Sequence, residues 1–131
     1  MNTTPLDRHR IVYSHEGSAT KSTVSVVITL YNYRDYIVEC LETVLNQDYQ
    51  ALELIVVDDN STDDSVIVAK NWAKMHCNRF CRVLIMSSLY NRGLSFSRNL
   101  GISASQSSYV FIMDADNQLY PRALSRLLET M

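Results

Sequence analysis

Glycine is scarce in this chain, and its scarcity excludes several nucleotide-binding motifs. The 131 residues contain three glycines, Gly17, Gly93 and Gly101. A dinucleotide-binding loop needs three closely spaced glycines after its first strand, and a P-loop needs two glycines ahead of a lysine. These three positions build neither pattern. The sequence therefore argues against a nicotinamide-dependent dehydrogenase and against a P-loop nucleotidase.

Other missing features exclude further classes of protein. The three cysteines are odd in number and show no spacing of a secreted scaffold, which favours reduced thiols and a cytoplasmic location. No apolar run approaches the ~20 residues that cross a bilayer, so we expect any membrane association to arise from parts outside this chain. The net charge is -2 and no basic cluster is present, which argues against nucleic acid as a partner.

After residue 22, short β-prone segments alternate with segments of helical spacing. The predicted strands are runs of mostly β-branched or apolar residues at 24–30, 52–57, 83–86 and 109–113. A helix is predicted after each strand, including one from about Asp63 with Ser61 as N-cap, one from about Leu94 to Ala104 after Gly93, and one with Pro121 at its first position. Four βα units predict an α/β fold with a mostly parallel sheet and helices on both faces. Residues 1–22 are polar and aperiodic, so we expect a flexible polar leader or a docking extension ahead of one domain over residues 23–131.

Polar residues follow three of the predicted strands, in segments 29–32, 58–61 and 114–117. The carboxyl ends of parallel strands share one edge of a sheet, and ligands bind at that edge where the strand order reverses. If the three strands are neighbours, these segments meet. Asp114 and Asp116 leave a buried strand together, and hard oxygen ligands at that spacing suit Mg²⁺ or Mn²⁺ when phosphates complete the shell. We therefore expect them to help hold a metal–diphosphate.

Other acidic motifs fit less well. The D-x-D of haloacid-dehalogenase phosphatases has Thr or Val two residues after its second Asp, and Gln118 stands there in this chain. Response-regulator receivers carry an acidic pair after their first strand, whereas Asp58-Asp59 follows the second predicted strand. A nucleotidyltransferase needs a basic, glycine-rich loop after the first strand, but residues 30–35 contain no glycine and only one arginine. The simplest alternative for the acids is a helix cap and a polar turn.

Five segments, all in order, resemble the motifs of one known family. They are Val24–Asn32, Asn46–Tyr49, Glu53–Asp63, Asn91–Gly101 and Asp114–Asp116. The first is similar to the opening strand of family 2 glycosyltransferases of the GT-A fold. The others resemble that family's S-x-x-x-Q-x-Y, E-I-I-V-V-D-D-G-S-T-D, N-x-G-x-S-x-A-R-N-x-G and D-x-D patterns. The resemblance covers the chain from Val24 onward and implies a Rossmann-like GT-A fold. It also implies an inverting, metal-assisted transfer of a sugar from a nucleotide-diphosphate donor to an acceptor hydroxyl.

The resemblance implies a base-binding group of residues. Thr29 would lie against the nucleotide base through its backbone, and Tyr31 through its ring, with Asn32 directly after it. Asp59 would accept a hydrogen bond from a uracil-type N–H, and Asp58 would orient its loop. Tyr31 has an equally simple alternative as a half-buried packing residue, since tyrosine serves both purposes.

A second group is implied for the diphosphate and the metal. Asp116 would be the direct ligand of Mn²⁺ or Mg²⁺, and Asp114 would lie near the ribose and donor sugar, with Ala115 between them. Arg98 would approach the diphosphate or pair with an acid, and its alternative is a solvated helix charge. A cation between carboxylates and diphosphate turns their repulsion into attraction.

The resemblance also bears on partners and on the parts of the site outside these motifs. A UDP-sugar donor is favoured, with a saccharide or a lipid- or protein-linked acceptor. Leu30 stands where many members have Pro, and Asn60 where many have Gly. The family's acceptor site and catalytic base follow the D-x-D, so we expect the base beyond Met131 and interpret the chain as the donor-binding half. The alternative is a nucleotide-binding or regulatory module without catalysis.

Overall fold

A single mixed sheet carries the chain, flanked by helices. The computed structural model describes residues 9–17 and 21–130. Within those ranges the strands are β1 His9–Glu16, β2 Val24–Leu30, β3 Leu52–Asp58, β4 Arg82–Ser88 and β5 Tyr109–Asp114. The helices are α1 Ile37–Leu45, α2 Ser65–His76, α3 Leu94–Ala104 and α4 Ala123–Glu129, with a 3₁₀ turn at Cys77–Arg79. No helix of the described ranges combines the length and the apolar character needed to cross a membrane.

The order of the strands is β1-β4-β3-β2-β5. Strands β2 to β5 pair in parallel, and β1 pairs antiparallel with β4. The chain runs outward from β2 through β3 to β4 and then returns to add β5 on the other side of β2. The predicted α/β architecture with a mostly parallel sheet is therefore confirmed. The order of the strands reverses beside β2, which is where such sheets bind ligands.

β1 corrects the prediction for the N-terminal segment. A flexible leader was expected over residues 1–22, and this was wrong for His9–Glu16, which form an edge strand. The register shifts between Ile11 and Tyr13, so a bulge interrupts the two-residue period that identifies a strand from sequence. Residues 1–8 and 18–20 lie outside the described residues. The domain boundary at residue 23 stays a prediction.

The two faces of the sheet build two separate cores. Every residue of β2 and β3 is buried, as expected for central parallel strands covered on both sides. Alternate residues of β2, from Val24 to Leu30, pack with α1 and α2, whereas Val27 packs on the other face with Leu100 of α3. Of the helices in the described ranges, α3 is the one that packs on this second face, and its first turn reaches the carboxyl edge of the sheet.

The starts of two helices differ from the sequence-based prediction. Ser61 was expected to cap α2, but α2 begins at Ser65, and the carboxylate of Asp63 accepts the Ser65 backbone N–H at 2.9 Å. Ser61 donates instead to Asp58. α4 begins at Ala123, two residues after Pro121. Both shifts occur at polar turns, where several side chains compete to satisfy the first amides of the helix.

Candidate functional site

The polar segments that follow β2, β3 and β5 meet at one edge of the sheet. These three strands are neighbours, with β2 in the centre. Thr29 pairs with Asp114 across the β2–β5 ladder, and Leu30 pairs with Asp58 across the β2–β3 ladder. The expected convergence of the strand ends is therefore confirmed.

A cavity of about 330 Å³ opens at this edge. Its walls come from the ends of β2, β3 and β5 and from the loop and first turns of α3. The lining residues are Thr29, Leu30, Tyr31, Tyr33, Asp59, Asn91, Gly93, Leu94, Ser97 and Asp114. Its size falls in the range of small-molecule sites, and it combines apolar and aromatic walls with a few convergent polar groups.

One side of the cavity is a short polar chain from β2 to α3. The Thr29 hydroxyl donates to Asp114 Oδ1 at 2.7 Å, and Arg98 Nη2 lies 3.9 Å from the same oxygen. Thr29 is buried, while the side chains of Arg98 and Asp114 are 44% and 36% exposed. The ion pair is therefore long and hydrated and adds little to stability. Arg98 is held near the site and remains accessible to an anionic ligand.

Asp59 forms the opposite side of the cavity. Its Oδ1 accepts the Arg92 backbone N–H at 2.7 Å, and its Oδ2 accepts the Gly93 N–H at 2.9 Å. Gly93 has φ +94°, a conformation that L side chains rarely adopt, and it turns the chain into α3. Each carboxylate oxygen keeps a further lone pair. Asp59 thus fixes the start of α3 and still offers acceptor sites to the cavity.

Asp58 and Asn32 hold the loops behind this carboxylate. Asp58 is buried and accepts hydrogen bonds from Ser61 and from the Ser87 hydroxyl of β4. Asn32 Oδ1 accepts the Thr62 backbone N–H at 2.8 Å, so it joins the loop after β2 to the loop after β3. Neither residue lines the cavity.

Two asparagines shape these same loops. Asn32 and Asn60 have φ of +55° and +59°, the left-handed region that glycine and asparagine tolerate best. Asn60 therefore satisfies the same backbone demand as the glycine that stands there in the resembling pattern.

The D-x-D segment continues from the end of β5. Ala115 is fully buried, and its N–H donates to the Thr29 carbonyl at 2.9 Å, which extends the ladder one residue beyond the strand. Asp116 follows with an exposed side chain. Burial, then the charges of Asp116 and Asp114, raise the pKa of the Cys40 thiol to about 12. Both carboxylates therefore act electrostatically on the same buried thiol of α1.

The donor set of this segment fits a magnesium or manganese ion bound together with a phosphate ligand. Among residues 9–17 and 21–130, no cluster of three or more His, Cys, Asp or Glu side chains is arranged to enclose a metal ion. Mg²⁺ is commonly held by one or two carboxylates, with water and substrate phosphates supplying the other oxygens. Asp116, with Asp114 beside it, supplies such a pair.

The family model described as "Glycosyl transferase family 2" matches residues 25–131. The chain belongs to glycosyl transferase family 2. The match includes β2 from its second residue, β3 to β5, and the D-x-D segment, so all the residues that line the cavity lie within the family domain.

Curated relatives and solved structures of glycosyltransferases agree with this assignment. A glycosyltransferase YibD of Escherichia coli K12, described as uncharacterized, is 38% identical over 105 residues, which cover 80% of this chain and 29% of that protein. Glycosyltransferase GlyG of Streptococcus pneumoniae is 37% identical, covering 72% of this chain and 30% of that protein. A mannosyltransferase from Pyrobaculum calidifontis, solved with GDP-Man and Mn²⁺, has a TM-score of 0.72 at 28% identity, covering 79% of this chain and 30% of that one. The chain spans about a third of the length of these proteins.

The cavity is also lined by residues that were not predicted from the sequence to belong to the site. Tyr33, Asn91, Leu94 and Ser97 line the cavity. Asn91 is the first residue of the family motif Asn91–Gly101, and that motif was the signal available for it. Ser97 stands where the motif has Ala, and its buried hydroxyl has no hydrogen-bond partner in the structure.

Proposed function

We propose that this chain binds the nucleotide-diphosphate sugar of an inverting, metal-assisted glycosyltransferase. The single observation that carries the proposal is the cavity beside β2, with Asp59 on one side and Asp114 on the other. Such a cavity offers a hydrogen-bond acceptor to a nucleobase at one end and carboxylates to a metal–diphosphate at the other. The switch point of a parallel sheet is the expected position for a nucleotide.

The nucleobase would lie between the tyrosines and Asp59. Tyr31 is 42% exposed beside the cavity, and Tyr33 lines it as well, so aromatic surface is available to a flat ring. Asp59, as an ionised carboxylate, only accepts hydrogen bonds. It therefore suits a base that presents a ring N–H, as uracil and guanine do. We favour a UDP-sugar, and the GDP-Man complex of the Pyrobaculum mannosyltransferase supports a nucleotide diphosphate sugar in general.

The diphosphate would lie toward the D-x-D segment. Asp116 would ligate Mn²⁺ or Mg²⁺ directly, and Asp114, held by Thr29, would face the ribose and the donor sugar. A bound cation would neutralise the diphosphate as it leaves. Arg98 has an exposed guanidinium near Asp114 and would place a second positive charge beside the leaving group.

Inversion at the sugar carbon also requires a general base that takes the proton from the acceptor hydroxyl. We assign the base to a part of the enzyme after Met131, and this remains a prediction, as does the acceptor, a saccharide or a lipid- or protein-linked hydroxyl. The relatives are about three times as long as the match, which supports a donor-binding half within a larger enzyme.

Calorimetric titration of the chain with UDP and GDP, each with and without Mn²⁺, tests the proposal. We expect UDP to bind and Mn²⁺ to lower its dissociation constant. UDP at a hundred times this dissociation constant should stabilise the fold by about 2.7 kcal/mol. Asp116→Asn should remove the Mn²⁺ effect. Asp35→Asn makes the same change at an exposed acid ahead of α1 and should behave as the wild type.

Two results would count against the proposal in different ways. A folded chain that binds neither nucleotide would refute the donor site. Nucleotide binding without hydrolysis or transfer of the donor sugar, in the longest available form of the protein, would favour the non-catalytic module instead.

A further inference from the structure

The segment after the D-x-D is tied to α1 rather than to the sheet. The Leu119 backbone N–H donates to the Thr43 hydroxyl at 3.1 Å, and the Asp48 N–H donates to the Pro121 carbonyl at 3.0 Å. Gln118 Nε2 adds a bond to Glu39 at 3.0 Å on the surface. Residues 117–122 therefore take their position from one face of α1 and from the turn that ends it.

The side chain of Gln47 adds further hydrogen bonds to this segment, and it is more deeply buried than those of Thr43, Glu39 and Gln118. It is 3% exposed. Its Nε2 donates to the Tyr120 carbonyl at 2.7 Å and to the Thr43 carbonyl at 3.0 Å, and its Oε1 accepts the Leu124 N–H at 3.1 Å. Leu124 lies in the first turn of α4, and Arg122, the residue that precedes this helix, makes no side-chain cap. Gln47 thus caps α4 from another element and satisfies an amide that would otherwise lack a partner.

The backbone of Gln47 is itself held firmly. Arg79 donates through Nε to the Leu45 carbonyl at 2.9 Å and through Nη2 to the carbonyls of Gln47 at 3.1 Å and Tyr49 at 2.7 Å. One guanidinium therefore closes the carboxyl end of α1 and fixes the turn that carries Gln47. Because this turn is held in place, the Gln47 side chain can fix the position of the backbone groups to which it bonds.

We infer that Gln47 is a positioning residue for the metal-ligating carboxylate of Asp116. The inference rests on the function proposed above. Asp116 lies two residues beyond the end of β5 and is exposed, so its own surroundings hold its side chain weakly. Four residues later, Gln47 fixes Tyr120, so the short stretch between the strand and this anchor decides where the carboxylate points. Metal sites lose affinity when a ligand moves by about an ångström.

A purely structural role for Gln47 predicts something different. Loss of its three hydrogen bonds would then lower the stability of the whole fold and weaken nucleotide binding equally with and without metal. A positioning role predicts that the nucleobase end of the site, built from Asp59 and Tyr31, keeps its affinity. Only the part of the affinity contributed by the metal should fall.

The test measures the dissociation constant of UDP, with GDP in parallel, with and without Mn²⁺ for three variants. Gln47→Met keeps the length of the side chain and removes its hydrogen bonds. Gln50→Met makes the same change at an exposed side chain three residues away and is the matched control. Thr43→Val removes the bond to Leu119 and leaves Gln47 intact. It loosens the same segment after the D-x-D, so it tests whether this segment positions Asp116 if Gln47→Met fails to fold.

We expect Gln47→Met to lose about tenfold or more of the Mn²⁺-dependent tightening while its metal-free dissociation constant stays within about twofold of the wild type. Thr43→Val should lose less, in the same direction, and Gln50→Met nothing. Equal losses with and without Mn²⁺, or an unchanged metal effect in both Gln47→Met and Thr43→Val, would overturn the inference. Failure of the proposed function looks different, because the wild type itself would then bind neither nucleotide.

Discussion

Replacing Asp59 with asparagine tests whether this carboxylate holds the start of α3. In the wild type its two oxygens accept two backbone N–H groups, from Arg92 at 2.7 Å and from Gly93 at 2.9 Å, and the residue is 6% exposed. Asparagine presents one carbonyl oxygen and one NH₂ group, so one backbone N–H would face another donor. The variant loses one charge-assisted bond and weakens the other.

The size of the effect follows from these two bonds. Hydrogen bonds to a charged group contribute about 1.5–3 kcal/mol each, and a neutral one about 0.5–1.5 kcal/mol. The free energy of unfolding of Asp59→Asn should therefore fall by about 2–4 kcal/mol, which lowers the melting temperature by roughly 10 °C in a chain of this size.

Urea denaturation followed by circular dichroism measures the change directly. Asp64→Asn is the control, because it makes the same substitution at an exposed acid that pairs with Arg34 at 2.8 Å, and it should cost about 1 kcal/mol or less. If Asp59→Asn is no more destabilising than Asp64→Asn, the carboxylate does not hold the loop, and the reasoning is wrong.

Three further substitutions probe other parts of the fold by the same denaturation assay. Gly101→Ala would bring a Cβ within 2.3 Å of Val27 Cγ1. The crowding should lower the free energy of unfolding by about 1–3 kcal/mol, more than the gain in helix propensity, unless Val27→Ala is made as well. A single variant more stable than the wild type would contradict this. Ser97→Ala should stabilise by about 1 kcal/mol, because it removes a buried hydroxyl without a partner, and a loss of stability would show that the hydroxyl has one. Arg82→Met should destabilise by about 3–5 kcal/mol, because it leaves the fully buried Glu53 without its 2.8 Å ion-pair partner, and the double change with Glu53→Gln should recover much of that loss.

The sequence predicted the sheet well from β2 onward because the central strands are apolar on both faces. The run from Val24 to Leu30 and the other short apolar runs predict buried strands, because turns and amphipathic helical segments separate them. α3 was predicted with the bounds that it has, Leu94–Ala104, since Gly93 marks its start. β1 escaped prediction, because an edge strand with a bulge shows neither a continuous nor an alternating pattern.

The position of the site followed from topology, but its composition did not. The three strand ends had to share one edge once the strands were parallel neighbours, so Asp59 and Asp114 were found from sequence. Ser97 was not found, because a helical serine between apolar positions carries no signal of the cavity beside it. Tyr33 was not predicted for a similar reason, since the turn that contains it does not indicate which tyrosine ring faces the cavity.

The polar residues of the family motifs divide into two kinds that sequence does not separate. Asp58 and Asp59 are adjacent acids at one strand end. The carboxylate of Asp58 accepts hydrogen bonds from Ser61 and Ser87, whereas Asp59 lines the cavity. Gln47 also lies outside the cavity lining, and its side chain bonds to the backbone of Tyr120 and Leu124. Loops that carry a binding site have few apolar contacts, so buried side-chain-to-backbone bonds must hold them in place. A polar residue in such a motif is therefore as well explained by the shape of a loop as by direct contact with a ligand.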